Sequence, residues 1–575
     1  MLSFIKIHLI LYLMEVNFIK NYKIMFVIAV LVLICSVSFV SANELGNATN
    51  LENDGLSLEE SDFQVDSLSA VNDDSYYDID LRKTSSSNGD VLGSSIENDE
   101  ILNASNEYKL SASKIGSKTE LAKLIKDAKP GSILTLDKDY NGSLSDGLFD
   151  TVITITKNIV IDGNGHSIYT ITGPPIFTIN HAPSLGFVEI KNINFIGGSC
   201  GIIRTAERAG AIIVSNCTFT NTLAEFCGGA IFIYGKSPES YIFNCTFKNC
   251  MAMGKWKMVK AEGFYQGSST ALSDGGAITV CSPVTIKSCR FENCAAGDGG
   301  AINVGRTKAK IIDSVFVNNC AGGLVNVQNY KHGGAICLTE ADGSLVKGCT
   351  FIDNHADRYG GAISMRSGVN IKIEDSVFNS NYLGDGIHKL GGAIYLNSGL
   401  GEKKLIIQIT RCSFSNNGYD GGERTCYKGG AIYCDVEKAH ISDCNFTGNA
   451  ASELGGAIYA SSSCPDIIGC IFTKNHANER GGAIYLDSRN NVVDWCVFDS
   501  NSADDDGGAI YVEARYNTIK NSTFVNNKAK MKVVLFISME GMEKLFHLLF
   551  YATLLKKAMI FIVTPAIVNF TVLLF

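Results

Sequence analysis

The sequence predicts an all-β fold, a single parallel β-helix solenoid with a short capping helix at its N-terminal end. The tetrapeptide Gly-Gly-Ala-Ile occurs ten times, a second pattern, Phe-x-x-Asn, recurs eight times between residues 316 and 527, and no segment between them has the 3.6-residue periodicity of a helix. The last four tetrapeptides begin 26 residues apart, and each interval holds three short strand-like pieces separated by polar turns. One turn of a parallel β-helix fits this period. The tetrapeptides begin at Gly228, Gly275, Gly299, Gly333, Gly360, Gly391, Gly429, Gly455, Gly481 and Gly507.

Composition excludes several other classes of protein. The chain has 575 residues, of which 46% are hydrophobic, and this is too apolar for a wholly disordered protein. Its 57 glycines are accompanied by only 8 prolines, unlike collagen. The formal charge of −9 gives no electrostatic reason to expect a nucleic-acid partner.

Residues 1–42 predict an export signal. A largely apolar run at 24–40 follows two lysines, and small residues before the bond between Ala42 and Asn43 predict cleavage there. Met14 is an alternative start that would give a conventional signal. An uncleaved anchor helix is the alternative interpretation, although the run is shorter than the ~20 residues that a membrane span needs.

Residues 43–108 predict a disordered acidic linker. They carry 16 Asp and Glu against Arg82 and Lys83, in a background rich in Ser and Asn. Because the linker has a charge of −14, the rest of the chain sums to only +5. The folded part therefore has no strong surface field of one sign.

The repeat domain is predicted to span residues 109–530 and to begin with a helix that covers the first coil. Ser117-Lys118-Thr119-Glu120 is a capping box, and an apolar stripe follows before Pro130-Gly131 ends the helix. Such a cover would protect the exposed end of a solenoid from edge-to-edge association. The stripe consists of Leu121, Leu124, Ile125 and Ala128, and the first strands are predicted within 133–136, 152–155 and 159–166.

Each fixed residue of the repeat has a structural role in a β-helix of about 14 predicted coils. Equivalent residues of neighbouring coils stack about 4.8 Å apart, which is the strand spacing of a sheet. We expect the Ile and the Phe to point inward and form apolar columns. The paired glycines would allow a tight corner with positive φ, and the Asn would form a ladder of stacked amides.

Eight of the 19 cysteines lie two residues before the Phe, where three other coils have serine. The position needs a small buried residue, which either amino acid provides. Stacking brings these cysteines within disulfide range and export favours oxidation, but parallel side-chain directions favour a ladder of thiols, so both states stay open. The spacing of Cys and His predicts no zinc site, and no cofactor or metal is expected. The eight are Cys217, Cys245, Cys289, Cys349, Cys412, Cys444, Cys470 and Cys496, and the serines are Ser314, Ser376 and Ser522.

Residues 531–575 form an apolar tail that departs from the repeat. The period places the next Gly-Gly at 533, where the chain has Val533-Val534. Codons that can encode residues 533–540, read one base earlier, spell Gly-Gly-Ala-Ile-Tyr-Phe-Asn-Gly. We therefore interpret the tail as a frameshifted remnant of the repeat, with a membrane anchor at 558–575 as the alternative.

Two insertions break the period and are the best places for binding residues, because loops that leave a rigid scaffold commonly carry function. The longer insertion carries Trp256 and Tyr265, whose rings could stack on sugars. The shorter, Asn417–Lys428, is a weaker candidate. For both, a divergent coil with a plain loop is the alternative.

Catalysis on polysaccharides would need carboxylates from adjacent coils a few ångströms apart, with a basic partner. The triplet Asp504-Asp505-Asp506 is the densest acidic cluster, but it lies in a variable turn before Gly507. We therefore expect a solvated turn there and predict no catalytic residue. His355 and His476 occupy equivalent repeat positions and are expected to form a turn column rather than a ligand site.

The alternation of Gly-Gly-Ala-Ile with Phe-x-x-Asn resembles the polymorphic outer-membrane protein repeat. The segment Ile161-Asp162-Gly163-Asn164-Gly165 resembles the opening of pectin-lyase-like right-handed β-helices. A signal, an acidic linker and many such repeats together resemble the adhesin-like surface proteins of methanogenic archaea, over residues 109–527. This resemblance implies surface display and attachment to other cells or to host glycans.

We therefore expect a non-enzymatic protein of the cell surface or the extracellular space, attaching to glycans or proteins of other cells. It would meet a membrane only through its signal or a C-terminal anchor. A polysaccharide lyase or glycosidase on the same fold is one alternative, since a fold does not determine a function. A passive surface spacer is the other.

Overall fold

A computed structural model of the chain describes its repeat domain. The described residues are 115–141, 152–170, 174–253, 274–322, 331–384, 388–398, 406–419, 421–422, 426–461, 465–530, 535–536 and 549–550. The predicted export signal, its cleavage between Ala42 and Asn43, and the acidic linker lie outside these residues, so they stay predictions.

The described chain is a right-handed parallel β-helix of about 13 turns, close to the 14 expected. Each coil contributes one strand to each of three long parallel sheets. The glycine sheet contains the strands that begin at the Ile of the tetrapeptide. The phenylalanine sheet contains the strands that carry the Phe of the second pattern. In each coil, the strand of the middle sheet lies between these two strands in chain order.

The glycine sheet is formed by the strands Ile153–Ile155, Phe177–Ile179, Ile203–Thr205, Ile231–Ile233, Ile278–Val280, Ile302–Gly305, Ile336–Thr339, Ile363–Arg366, Ile394–Asn397, Ile432–Asp435, Ile458–Ala460, Ile484–Leu486, Ile510–Val512 and Leu535–Phe536. The middle sheet is formed by Ile133–Thr135, Ile159–Asp162, Phe187–Lys191, Ala211–Ser215, Ser240–Phe243, Val284–Lys287, Ala309–Ile312, Leu345–Lys347, Ile371–Glu374, Ile406–Thr410, Lys438–Ser442, Pro465–Ile468, Val492–Asp494 and Thr518–Lys520. The phenylalanine sheet is formed by Gly116–Ser117, Tyr140–Asn141, Ser167–Thr170, Asn194–Gly197, Thr218–Thr220, Thr246–Lys248, Arg290–Glu292, Val315–Val317, Thr350–Ile352, Val377–Asn379, Ser413–Ser415, Asn445–Thr447, Ile471–Thr473, Val497–Asp499, Thr523–Val525 and Leu549–Phe550.

A fourth strand of two residues, which the sequence did not predict, follows the Asn of the second pattern in most coils. Its second residue is alanine in nine of the ten strands and is buried in all but the last, and two residues are too few to show a period of two. One short sheet is formed by Leu223–Ala224, Met251–Ala252, Ala295–Ala296, Cys320–Ala321, His355–Ala356 and Tyr382–Leu383, and the other by Ala450–Ala451, His476–Ala477, Ser502–Ala503 and Lys528–Ala529.

The predicted capping helix, α1, spans Lys118–Asp127. The Ser117 Oγ accepts a hydrogen bond from the Glu120 N–H at 3.1 Å, as a capping box requires. Leu121 and Ile125 are buried against the first coil, but Leu124 is 37% exposed and does not belong to the buried stripe. A single turn of 3-10 helix, Pro183–Leu185, interrupts the strands later.

The glycine pairs are required by the close approach of neighbouring coils. The first glycine of every pair has a φ between 62° and 73°, where glycine pays no steric penalty. A Cβ on the second glycine would overlap the next coil; at Gly456, for example, it would collide with the carbonyl oxygen of Gly482. The corner is therefore closed to any residue with a side chain.

Phenylalanine and isoleucine form the predicted inward columns. Twelve phenylalanines, from Phe195 to Phe524, stack ring on ring with centroids 4.7–4.9 Å apart and planes within 14° of parallel. The tetrapeptide isoleucines are fully buried. Register partners in the sheets are these same residues, as for Phe446 and Phe472.

Asparagine forms the predicted amide ladder from Asn319 to Asn527. Each Nδ2 in the ladder donates to the Oδ1 of the next Asn at 2.8–3.0 Å. The same Nδ2 donates to the carbonyl of the Phe in the preceding coil at 2.8–3.2 Å. The backbone N–H beside it donates to that Oδ1 as well. The amides thereby satisfy buried polar groups that no sheet hydrogen bond reaches.

The cysteine column is a ladder of thiols. None of the 17 cysteines that the structure describes forms a disulfide. Each ladder thiol points at a backbone carbonyl; Cys470 Sγ lies 3.4 Å from the Ile468 oxygen and 3.7 Å from the Ile441 oxygen of the preceding coil. Ser314 makes the equivalent bond to Ile312 at 2.8 Å, which explains why serine replaces cysteine here.

The described part of the tail adds one rung to two sheets. Leu535 pairs with Ile510 in the glycine sheet, and Leu549 pairs with Thr523 in the phenylalanine sheet. The rest of residues 531–575 lies outside the described residues, so the frameshift interpretation and the membrane-anchor alternative both stay predictions.

Replacing Asn475 by Ala should lower the free energy of unfolding by about 2–4 kcal/mol, measured by chemical denaturation, because Phe446 O, Asn449 N and Asn449 Nδ2 would lose buried partners. The matched control is Asn445→Ala, at an outward-facing position of the phenylalanine sheet, which should cost less than about 0.5 kcal/mol. Equal effects of the two substitutions would contradict the structural role of the ladder.

Candidate functional site

The residue before each glycine pair lies on the outer side of the corner, and these residues form a continuous pre-glycine column. Neighbouring members are paired by backbone bridges from coil to coil. The column differs in chemistry from coil to coil, and its two aspartates lie in adjacent coils near one end. Its members are Cys227, Asp274, Asp298, His332, Tyr359, Leu390, Lys428, Leu454 and Arg480, and Asp506 occupies the same place in the next coil.

Two aspartates of adjacent coils meet in this column. Burial, and next the charge of Asp298, raise the pKa of Asp274 to about 7. Burial also raises the pKa of Asp298 to about 6, against the opposing effect of the Arg366 guanidinium. Both carboxyl groups therefore titrate in the range where acid–base catalysts work near neutral pH.

Basic and hydroxyl groups surround the pair. Arg366 Nη2 lies 3.3 Å from Asp298 Oδ2, and the backbone N–H of His332 donates to Asp298 Oδ1 at 3.0 Å. The His332 Nδ1 lies 3.4 Å from Ser364 Oγ, and burial holds the pKa of this imidazole well below its usual value. His332 is therefore neutral at physiological pH, and Arg366 is the cation of the cluster.

This arrangement supplies part of what a polysaccharide-cleaving enzyme would need, although the Asp298 side chain is buried. It provides two carboxyl groups on adjacent coils, raised pKa values and a basic neighbour. Across the described ranges, no three His, Cys, Asp or Glu side chains converge as a metal site would require.

A second outer column, the tyrosine ladder, lies next to the pre-glycine column and follows the tetrapeptide isoleucines. Its ring centroids are 5.1–5.4 Å apart and its planes within 17° of parallel. The Tyr459 hydroxyl donates to Asp487 at 2.6 Å, and Lys428 lies over the Tyr459 ring at 4.8 Å. Because each ring face is covered by the next ring, this ladder stabilises the wall and offers no open face to a sugar. Its members are Tyr395, Tyr433, Tyr459, Tyr485 and Tyr511.

The acidic triplet does not form a carboxylate pair. Asp504 Oδ1 lies 2.9 Å from Lys530 Nζ, and the Asp505 N–H donates to the Glu479 carbonyl as part of the turn. Asp506 is in the pre-glycine column, where burial raises its pKa. These contacts agree with the turn that the sequence predicted.

The two histidines occupy equivalent repeat positions, but they lie in two-residue strands of the two short sheets and not in a turn as predicted. His355 pairs in register with Cys320 and Tyr382, and its ring stacks on Tyr382 at 5.0 Å. His476 pairs with Ala450 and Ser502.

The predicted binding residues Trp256 and Tyr265 lie outside the described residues, so their role stays a prediction. In the shorter insertion, Asn417 belongs to the amide ladder, and Tyr427 carries Lys389 over its ring at 5.7 Å.

Sequence reasoning missed the aspartate pair, although a signal was present. Aligning the residues before each glycine pair puts Asp274 and Asp298 next to each other in adjacent coils. Arg366 could not be found in this way, because it is two coils beyond Asp298 and reaches it only through its long side chain.

Comparison with known proteins supports the repeat and the fold. The family profile of the right-handed β-helix region matches residues 387–541. The profile of the Chlamydia polymorphic membrane protein repeat matches residues 348–365, which contain one copy of each pattern, from Phe351 to Ile363. The chain is therefore a β-helix with repeats of this kind.

The chain is also similar to the probable autotransporter YfaL of Escherichia coli K12, with 32% identity over 142 residues, which are 24% of this chain and 10% of the relative. It thus spans about a tenth of the length of that relative. The repeat and this similarity fit an exported surface protein. In the described ranges, no helix has the length and hydropathy of a membrane span.

Two solved structures show a distant similarity to the chain. The surface adhesin PfbA of Streptococcus pneumoniae has 15% identity and a TM-score of 0.32, covering 64% of this chain and 84% of PfbA. A double mutant of the tailspike of E. coli bacteriophage HK620 has 14% identity and a TM-score of 0.35, covering 73% of this chain and 70% of the tailspike.

Replacing Asp274 by Asn should stabilise the protein at alkaline pH. Because the folded-state pKa, about 7, exceeds the ordinary value of 3.8, the native state binds more protons, and stability falls as the pH rises between these values. The variant lacks this loss, so its melting temperature should exceed that of the parent by about 2 °C or more at pH 8 and match it near pH 4.

The control for this pH series is Asp313→Asn, which changes a 55% exposed carboxylate on the same solenoid. It should leave the difference between the two pH values unchanged. A parallel pH dependence of the parent and Asp274→Asn would show that Asp274 is not the titrating group.

Proposed function

We propose that this is an exported, cell-surface protein whose β-helix attaches, without enzymatic activity, to glycans or proteins of other cells. The observation that carries the proposal is the difference in variability between the inward and the outward positions of the repeat. Inward positions are nearly invariant from coil to coil, whereas outward positions vary. On the phenylalanine sheet, the outward residue before the Phe is Arg290, Val315 and Thr350 in three successive coils.

A surface of this kind suits recognition. Its side chains project from strands that are paired on both sides, so they are ordered before a partner arrives and less entropy is lost on binding. The similarity to the polymorphic membrane protein repeat and to an autotransporter supports display on the outside of a cell.

A polysaccharide-cleaving activity is the second candidate, and the aspartate pair with Arg366 favours it. Asp274 and Asp298 have the raised pKa values and the adjacent-coil placement that such chemistry needs. The same pair is also explained as a buried, ion-paired part of the wall, because Asp298 is bound to Arg366 and to the His332 backbone.

One experiment ranks these functions. The full chain is incubated with immobilised polysaccharides and with whole cells, and both retention and the release of soluble oligosaccharides are measured. We expect saturable retention without product release, and the same retention for Asp298→Asn.

Two other outcomes would overturn this proposal. Product release that disappears in Asp298→Asn would favour the enzyme. Absence of retention on every surface would favour a passive spacer.

A further inference from the structure

Trp495 occupies a backbone position that is unfavourable for a tryptophan. In twelve successive coils, the corner between the middle and phenylalanine sheets is made by one residue in the left-handed conformation. Asn, Asp, Gly, Ser and Arg occupy the other coils, and most of these are tolerant of positive φ. Trp495 has a φ of 55° there. The column is Asn192, Asn216, Asn244, Ser288, Asp313, Gly348, Asp375, Arg411, Asp443, Gly469, Trp495 and Asn521.

Packing does not explain this choice of residue. Trp495 is 68% exposed, and no other ring or cation of the described residues stacks on its indole. The residue at this corner in the preceding coil is Gly469, which has no side chain to cover the ring. A strained, exposed aromatic residue on a rigid wall costs stability, and such strain clusters at functional sites.

Two exposed apolar side chains lie close to Trp495 in the chain and in the sheet register, since Val497 follows it by two residues, and we group the three as an apolar platform. Ile471 and Val497 are register partners on the outward face of the phenylalanine sheet and are 45% and 37% exposed. Above and below them in the same outward column are the polar residues Asn445 and Thr523. The platform therefore consists of three apolar side chains with polar groups at both ends.

Hydrogen-bonding groups also border the corner. Asp494, the residue before the indole, accepts from Asn521 Nδ2 at 2.9 Å and lies 3.3 Å from Lys520 Nζ. Because the carboxylate and the ammonium neutralise each other, this border offers donors and acceptors without a net charge. It complements a neutral, hydroxylated ligand better than an ion or an apolar segment.

The size of the platform identifies the class of ligand. Three apolar side chains are far fewer than the roughly 20–30 residues that each partner contributes to a stable protein–protein interface. They match one face of a single sugar ring, whose C–H groups can pack on an indole while its hydroxyls reach the border. We infer that Trp495, Ile471 and Val497 form a binding subsite for a neutral hexopyranose ring of a glycan, an inference that rests on the proposed attachment to glycans.

The test uses the full chain labelled with 5-fluorotryptophan. The sequence has two tryptophans, so fluorine NMR gives two resonances, and Trp256→Phe assigns the one from Trp495. The probes are methyl β-glucopyranoside, methyl β-galactopyranoside, methyl α-mannopyranoside and N-acetylglucosamine at millimolar concentrations. We expect at least one probe to shift the Trp495 resonance saturably.

A substitution separates binding from folding. Trp495→Asn places a residue that favours positive φ at the corner, so the melting temperature should be unchanged or raised, while affinity for the same saccharide, measured by calorimetry, should fall at least tenfold. The matched control is Tyr516→Asn, which removes another exposed aromatic residue with a φ of 62° and should leave affinity unchanged.

Three results would overturn the inference. The first is that no probe shifts the Trp495 resonance, and the second is that Trp495→Asn binds the saccharide with undiminished affinity. The third is that the apolar dye anilinonaphthalene sulfonate binds at Trp495 while no saccharide does, and this result would indicate a protein partner.

Retention on cells distinguishes this inference from the proposed function. If the parent and Trp495→Asn are retained equally on cells, the subsite is wrong and the proposed function stands. If the parent is not retained but saccharides shift Trp495, the subsite stands and the proposed attachment fails.

Discussion

Every feature of this molecule depends on neighbouring coils being paired in register. The glycine pairs set the approach of one coil to the next, because a Cβ at Gly456 would collide with the backbone of the following coil. Once that spacing is fixed, each side chain lies over its equivalent. A slip of one residue would turn an inward side chain outward and would break the phenylalanine stack, the amide ladder and the thiol ladder together.

Register explains why the interior is repetitive and the exterior is not. An inward residue packs mainly against copies of itself, so a good choice in one coil is a good choice in all of them. The thiol ladder shows how narrow the tolerance is, since only Cys and Ser supply a small group that can reach the carbonyl two residues earlier. Apart from the tyrosine ladder, most outward residues do not pack against copies of themselves, and they differ from coil to coil.

The outer columns affect the stability of the solenoid in two opposite ways. The tyrosine ladder covers its own ring faces and binds its hydroxyls to carboxylates, which strengthens the wall. The aspartate pair does the opposite, because burial of two carboxyl groups beside each other opposes their ionisation and destabilises the fold near neutral pH. Trp495 likewise carries a conformational cost that its own packing does not offset.

The sequence predicted the elements whose signal is repeated many times. The glycine corner, the phenylalanine column and the asparagine ladder each follow from one stereochemical rule applied coil after coil. The two-residue strands were missed because two residues show no periodicity. The exposure of Leu124 was missed because it depends on how the capping helix is rotated against the first coil.

The candidate sites were harder to predict, because they depend on differences between coils. Asp274 and Asp298 become a pair only when the register is known and burial raises their pKa values. Trp495 becomes unusual only when its corner is seen to be left-handed. The candidates that sequence reasoning favoured were insertions and acid clusters, which are visible without register.

Electron paramagnetic resonance tests the register most directly. Thr447 and Thr473 are outward-facing register partners in adjacent coils. Nitroxide labels at Thr447→Cys and Thr473→Cys, in a chain whose exposed Cys200 and Cys281 are changed to Ser, should lie within about one strand spacing at their attachment points. We predict strong dipolar broadening in the doubly labelled protein, compared with the two singly labelled ones. A spectrum equal to the sum of the single-label spectra would contradict in-register stacking and the account built on it.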